Sequence, residues 1–245
     1  MPRAARQKSS SGIYHVVLRG INQQQIFVED EDYNKFLEII ADCRKKSGFR
    51  LYGYCLMSNR IHLLIAVVKE ELSQIFKRIG TRYAQWYNRK CNRAGHLFQD
   101  RYKSEPVESD EYFLAVLRYI HQRPVKAGLV GSVEAYRWSS YGEYVYRNHL
   151  VDALDFIIEM GLDEFIRYSN EANSDTFLED IVPRINDRDA KDVITKVSNC
   201  DTAEEFQQLD AITRSQYVKE LREGGLSIRQ ISRLTGIGKG IIERA

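Results

Sequence analysis

The stretch Cys55-Leu56-Met57-Ser58-Asn59-Arg60-Ile61-His62-Leu63-Leu64-Ile65 decides how the rest of this chain is read. Its pattern predicts a strand over residues 61–68, with another just before it over 49–56. Successive side chains on a strand alternate between faces, so residues two apart share one. Arg60 and His62 form such a pair, a fixed cation beside an imidazole.

Outward from these strands, the pattern predicts a strand over 13–19, a helix over 30–47, a long helix over 72–92, a strand over 96–107 and a helix over 109–122. Phe36, Leu37, Ile39, Ile40 and Cys43 recur with the helical period. Ser109 before Asp110 and Glu111 reads as an N-cap with an acidic first turn, and Pro124 is expected to end that helix. Strand, helix, two strands, helix, strand is the order of an α+β, ferredoxin-like split βαββαβ with an antiparallel sheet. One added helix follows, and then an all-α C-terminal region.

The chain has 245 residues, enough for one main domain and a smaller one. Charged residues make up 29% and no apolar run approaches the ~18 residues of a membrane span, which predicts a soluble protein. No apolar signal core opens the chain, and Cys43, Cys55, Cys91 and Cys200 show no paired metal spacing. Both point to reduced thiols in a cytoplasm. Residues 1–150 carry 24 Lys/Arg against 15 Asp/Glu, net +9; residues 151–210 carry 5 against 16, net −11; residues 211–245 carry 7 against 3, net +4. Basic, acidic, basic suggests three units: 1–145, a 146–210 helical spacer, and 211–245. Positive charge at both ends suits a polyanion.

Further along, Leu117-Arg118-Tyr119-Ile120-His121-Gln122-Arg123-Pro124-Val125 places Arg123 four residues after Tyr119, on the same helix face. With the Arg60/His62 strand, this resembles the HUH-type tyrosine transposases, in the branch called REP-associated tyrosine transposases of the IS200-like family. Pro2-Arg3, Tyr14-His15-Val16 with Arg19-Gly20, Ile26-Phe27 and Tyr33 are similar to that family's opening. The run from Gly95 to Ser104 is similar to its most recognisable strand, and Tyr119 through Val130 to its nucleophile helix and exit. The resemblance spans roughly the first 145 residues.

That resemblance implies nicking and joining of hairpin-bearing single-stranded DNA, with Tyr119 as nucleophile and a 5′-phosphotyrosine intermediate. Tyrosine is a poor nucleophile at neutral pH because its ordinary pKa is ~10. In the family, Mg²⁺ or Mn²⁺ polarises the phosphate, and His62 would be one ligand. The family has a second His where this chain has Arg60, and an amide where it has Arg123. A guanidinium has donors and no acceptor, so a dication should bind poorly here. Either the two arginines clamp the phosphate directly, or the site is disabled and the fold persists as a DNA- or RNA-hairpin-binding module. The partner implied is hairpin or single-stranded DNA, bound by a monomer or a homodimer.

Arg3, Arg6 and Lys8, beside Ser9 to Ser11, read as a flexible basic arm for phosphate contact or an idle one. Arg19, Arg60, Arg101, Lys103 and Arg123 are the further candidates for the DNA backbone, Arg101 and Lys103 alternating with His96 and Phe98 along one strand. His15 reads first as a structural histidine, His121 lies off the Tyr119 face, and Tyr83, Trp86 and Tyr87 read as packing. In the tail, residues 213–224 predict a helix, 227–236 an N-capped helix closing on Gly236, 237–240 a turn, and 241–245 a final helix. This is helix-turn-helix spacing, with Arg229, Gln230 and Lys239 as DNA-contact candidates, or else a plain helical hairpin.

Overall fold

Strand β1 (Ile13–Arg19) lies between β3 (Arg60–Ala66) and β4 (Lys103–Pro106), and β2 (Arg50–Met57) pairs with the far side of β3. The order is β2-β3-β1-β4, antiparallel throughout. The computed structural model describes residues 7–146, 150–173, 177, 187–224, 226 and 228–242. Helix α1 (Asp30–Ser47) joins β1 to β2, and α2 (Leu72–Lys90) joins β3 to β4, which is the split βαββαβ order expected. Glu29 and Asp32 close a capping box at the start of α1, and Gly48, at φ 70°, closes its end. Phe36, Ile39, Ile40 and Cys43 pack with Ile79 and Tyr83 of α2 against Val16, Leu18 and Leu63 on one sheet face. Tyr83 is fully buried with its hydroxyl donating to the Ile26 carbonyl at 2.6 Å, so that aromatic cluster is packing.

Helix α3 (Asp110–Lys126) covers the opposite face through Phe113, Val116, Leu117 and Ile120. Its Leu117 packs over Gly53 of β2, where an added Cβ would lie 2.7 Å from Leu117 Cδ1. Ser109 caps α3 as expected, its hydroxyl accepting from Tyr112 N at 3.2 Å. Pro124 does not end the helix, which runs on to Lys126. The proline falls in the last turn, where its missing N–H costs one hydrogen bond. The end is then secured by Gly128 N donating to Val125 O and Leu129 N to Pro124 O, both at 2.9 Å. Gly128, at φ 69°, supplies the left-handed residue this closure requires.

The strand expected over 96–107 is confined to Lys103–Pro106. Upstream, the chain meets β1 through the Gly20–Phe98 bridge and Gln99 N donating to Arg19 O. Tyr102 turns its ring onto Phe76 at 4.7 Å, taking the backbone out of strand register before Lys103. Beyond α3, Leu56 N donates to Trp138 O and Ser140 N to Tyr54 O, so residues 138–140 cover the β2 edge. Helices α4 (Tyr141–Tyr146), α5 (Asp155–Met160) and α6 (Leu162–Asn170) follow.

The chain divides into two compact units, Met1–Leu178 and Glu179–Ala245. The acidic stretch anticipated as a single spacer is therefore shared: α4 to α6 belong to the first unit, and α7 (Asp187–Ser198) and α8 (Ala203–Gln208) to the second. There they join α9 (Ala211–Glu223), α10 (Ile228–Thr235) and α11 (Lys239–Ile242) around Ile194, Phe206, Val218, Leu221 and Ile231. Gly236, at φ +71°, ends α10 where any Cβ would strike the Gln207 amide that donates to Thr235 O. The last turn expected over 241–245 starts at Lys239, and residues 243–245 lie outside the described residues. Among the described residues, no helix is long and apolar enough to cross a membrane.

Candidate active site

Register places the site before any side chain is considered. Arg19 stands opposite Arg60, Val17 opposite His62, and His15 opposite both Leu64 and Glu105. Across β3's other edge, Cys55 faces His62 and Met57 faces Arg60, while Lys103 pairs with Val17. Directly paired residues share a face. His15, Arg19, Cys55, Arg60, His62, Lys103 and Glu105 therefore project toward the side of the sheet that carries α3.

Tyr119, on α3, meets this face at its centre. Its ring is 5.9 Å from His62 and 5.9 Å from His15, edge-on to both. The two imidazoles stack at 5.5 Å, with His15 Nε2 3.2 Å from His62 Nδ1. His15 Nδ1 is 2.6 Å from Glu105 Oε1. Arg123 holds its guanidinium 5.2 Å from the Tyr119 ring centre, as the four-residue spacing requires, and Lys126 holds its ammonium at 5.7 Å. Burial pushes the Cys55 thiol well up; the opposing influence is the charge of Arg123, which reaches this partner of His62. Strand register thus puts Arg60 on the face of His62, while His62 and Arg123 both approach the Tyr119 ring.

Tyr119 is completely buried. Phe177 covers it at 4.6 Å between ring centres, and also approaches His15 at 6.5 Å and Tyr112 at 5.6 Å. Nearby, Gln122 Nε2 donates to the carbonyls of Ser169 and Glu171, and Arg118 pairs with Glu171 at 3.1 Å. The sequence reading missed Phe177 and Glu105 and set His15 aside as structural. The alternation of His15 with Arg19, and of Lys103 with Glu105, was a usable signal; nothing local in the sequence marks Phe177.

Of the positions that the resemblance gives to metal ligands, Arg60 and Arg123 have no lone pair, and His62 directs Nδ1 at His15. Among the described residues, no group of three or more His, Cys, Asp or Glu is arranged to hold a metal ion.

The remaining candidates are scattered. Arg3 and Arg6 lie outside the described residues. Lys8 is exposed, but the serines beside it are tied down: Ser10 donates from N and Oγ to Glu108 at 2.9 and 2.6 Å, and Ser11 Oγ to Val107 O. A flexible arm over Ser9 to Ser11 is thus corrected. Arg101 is exposed but precedes β4, as do His96 and Phe98, so these residues do not alternate with Lys103 along one strand. His121 is buried away from the site, with Nε2 2.8 Å from Ser140 Oγ. In the second unit Arg229 and Lys239 are exposed. Gln230 is instead buried, its amide 3.4 Å from Asp187, because its position on α10 turns it into the unit.

Residues 8–123 match the family model described as "Transposase IS200 like". A solved structure described as a REP-associated tyrosine transposase bound to a REP hairpin shares the fold, with a TM-score of 0.52 and 16% identity over 63% of this chain and 93% of that one. A putative transposase from Deinococcus radiodurans R1 aligns with a TM-score of 0.36 and 19% identity, over 50% of this chain and 98% of that one. No similar sequence was found among curated proteins. The sheet order and the tyrosine helix laid across its His face stand beside this match: residues 8–123 are similar to the IS200-like transposases.

Proposed function

We propose that this chain recognises hairpin-bearing single-stranded DNA, and that the family's reaction, metal-dependent nicking and joining through a 5′-phosphotyrosine on Tyr119, is impaired here. The observation that carries the reading is the company Tyr119 keeps. His62 lies beside it, while the positions that should complete a metal site hold Arg60 and Arg123. Guanidinium groups suit phosphate oxygens and repel a dication. Arg19, opposite Arg60, and Lys103 add charge to the same face. The second unit, with Arg229 and Lys239 exposed, would contact the duplex part of the hairpin in helix-turn-helix manner.

A second reading, a DNA- or RNA-hairpin-binding regulator that never cuts, is favoured by one observation: Tyr119 is fully buried beneath Phe177. One experiment separates the two. A labelled hairpin oligonucleotide is incubated with the protein and Mn²⁺, then denatured to look for a protein–DNA adduct. Impairment at the metal positions predicts little adduct from the unaltered protein and adduct from Arg60→His with Arg123→Asn. An inert double variant that still binds the hairpin supports the regulator. Failure to bind any hairpin overturns both.

A further inference from the structure

The loop that leaves β1 beyond Arg19 carries four amides and no charge: from Gly20 to Val28 the chain reads Gly-Ile-Asn-Gln-Gln-Gln-Ile-Phe-Val. It is fastened along its length. Gly20 N donates to Asn59 O at 3.0 Å, Ile21 N to Leu97 O at 2.9 Å, and Ile26 N and Phe27 N both to Ser58 O, at 2.7 and 3.0 Å. Carbonyls are held too, Gln23 O by Asn59 Nδ2, Gln25 O by the Tyr87 hydroxyl and Ile26 O by that of Tyr83. One amide is spent on this anchoring: Gln24 donates from Nε2 to Leu97 O at 3.0 Å and accepts at Oε1 from Arg93 at 3.1 Å. The side chains of Asn22, Gln23 and Gln25 are exposed instead, and none of them makes a hydrogen bond among the described residues. Asn22 and Gln23 stand together at φ 50° and 60°. Such a backbone suits glycine, is tolerated by asparagine and strains glutamine. The other non-glycine residues at positive φ, among the described residues, are Asn92 and Asn199. Glycine at 23 would serve the turn better, so the turn does not explain the amide, and strain of this kind gathers at functional positions.

We infer that Asn22 and Gln23 read the bases of single-stranded nucleotides beside the hairpin, with adenine preferred, a role that rests on the hairpin binding proposed above. Each amide offers a donor and an acceptor side by side, the complement of adenine's N6 hydrogen and N7. A neutral loop does little for phosphates. Arg19, the residue before Gly20, and Arg60, its partner on β3, supply the charge for those. Phosphate contacts position a strand, and base contacts specify its sequence. The two kinds of group are adjacent here: Arg60 is two residues from His62 on β3, and Asn59, the residue before Arg60, holds both Gly20 and Gln23. A strand lying across Tyr119 and Arg60 therefore brings its neighbouring bases to the loop. Because the loop's backbone is fixed before any strand arrives, its amides reach the bases with little further ordering.

The test is a selection from a hairpin oligonucleotide whose single-stranded flanks are randomised: the full chain is mixed with the pool at physiological salt, and the bound fraction is sequenced. The unaltered protein is expected to enrich adenine at a flanking position. Asn22→Gly combined with Gln23→Gly removes both amides and suits the left-handed backbone, so the variant should fold. It should lose that enrichment and bind the enriched hairpin about 5- to 150-fold more weakly, the range for one bidentate base contact. Affinity for unselected hairpins and its salt dependence should not change, since the phosphate contacts are untouched. Gln23→Glu should move the preference from adenine to cytosine, whose N4 donates to a carboxylate; this variant decides if the glycine pair fails to fold. A flat base profile from unaltered protein that binds hairpins would overturn the base reading and leave the proposed function standing. An enrichment that the variants retain, or an equal loss of affinity for every sequence, would overturn it as well. Failure to bind any hairpin would overturn the proposed function, and this inference with it.

Discussion

Acid should unseat the tyrosine helix through a residue that does no chemistry. His121 is fully buried on α3 among Tyr141, Tyr144 and Phe165, with ring centres 5.8 to 6.1 Å away. Ser140 Oγ accepts from Tyr54 N at 2.9 Å and lies 2.8 Å from His121 Nε2. Burial pushes its pKa down from 6.5 to about 3. The folded value lies below the unfolded one, so the unfolded chain takes up this proton first. The stability contribution is complete above about pH 6.5 and is lost as pH falls toward 3. At 1.36 kcal/mol per pH unit the loss is about 2 kcal/mol at pH 5 and roughly 4 kcal/mol by pH 3. That is comparable to the whole stability of many domains. His121→Gln keeps an acceptor for Ser140 and removes the titration. Urea unfolding of both proteins at neutral pH and near pH 5 would measure the difference. The chain has two tryptophans, Trp86 and Trp138, both in the first unit, so their fluorescence reports that unit directly. A stability difference between the two proteins that stays constant over this range would refute the argument.

Each single reversion, Arg60→His or Arg123→Asn, should rescue little adduct, because one remaining guanidinium still repels the ion; the pair should be non-additive, and Tyr119→Phe in the paired background should abolish adduct with binding retained. Hairpin affinity, measured by fluorescence anisotropy, should fall at least about tenfold between low and physiological salt, and indifference to salt would contradict a phosphate-binding face. Removing residues 179–245 should weaken binding to duplex-bearing hairpins and leave the tryptophan signal of the first unit unchanged; equal affinity would sink the helix-turn-helix proposal. Gly53→Ala should cost roughly 1–3 kcal/mol in the same urea assay, since the added methyl meets Leu117 Cδ1 at 2.7 Å and that side chain, packed between α3 and β2, must shift; a neutral result would refute the close packing of α3 on β2.

Much of the first unit was legible in the sequence because its signals are local. Strand alternation put Arg60 and His62 on one face, helical spacing put Arg123 beside Tyr119, and Ser109 announced the start of α3. The end of α3 was misjudged because a proline costs little in a last turn that a glycine closes, and the closing bonds come from residues beyond it. Charge blocks suggested a spacer over 146–210, but charge reports what faces water. The packing of α4 to α6 in one unit and of α7 and α8 in the other is set by buried residues such as Phe165 and Phe206.

What the sequence by itself determined is therefore the order of elements and the pairs of residues two or four apart, since both follow from backbone periodicity. Only the tertiary structure decided that His15 and Glu105, far apart in the chain, would meet across β1 and β4 to engage His62, and that Phe177 would lie over Tyr119. Those contacts depend on strand register and on how a distant segment packs, and no local repeat in the chain encodes either.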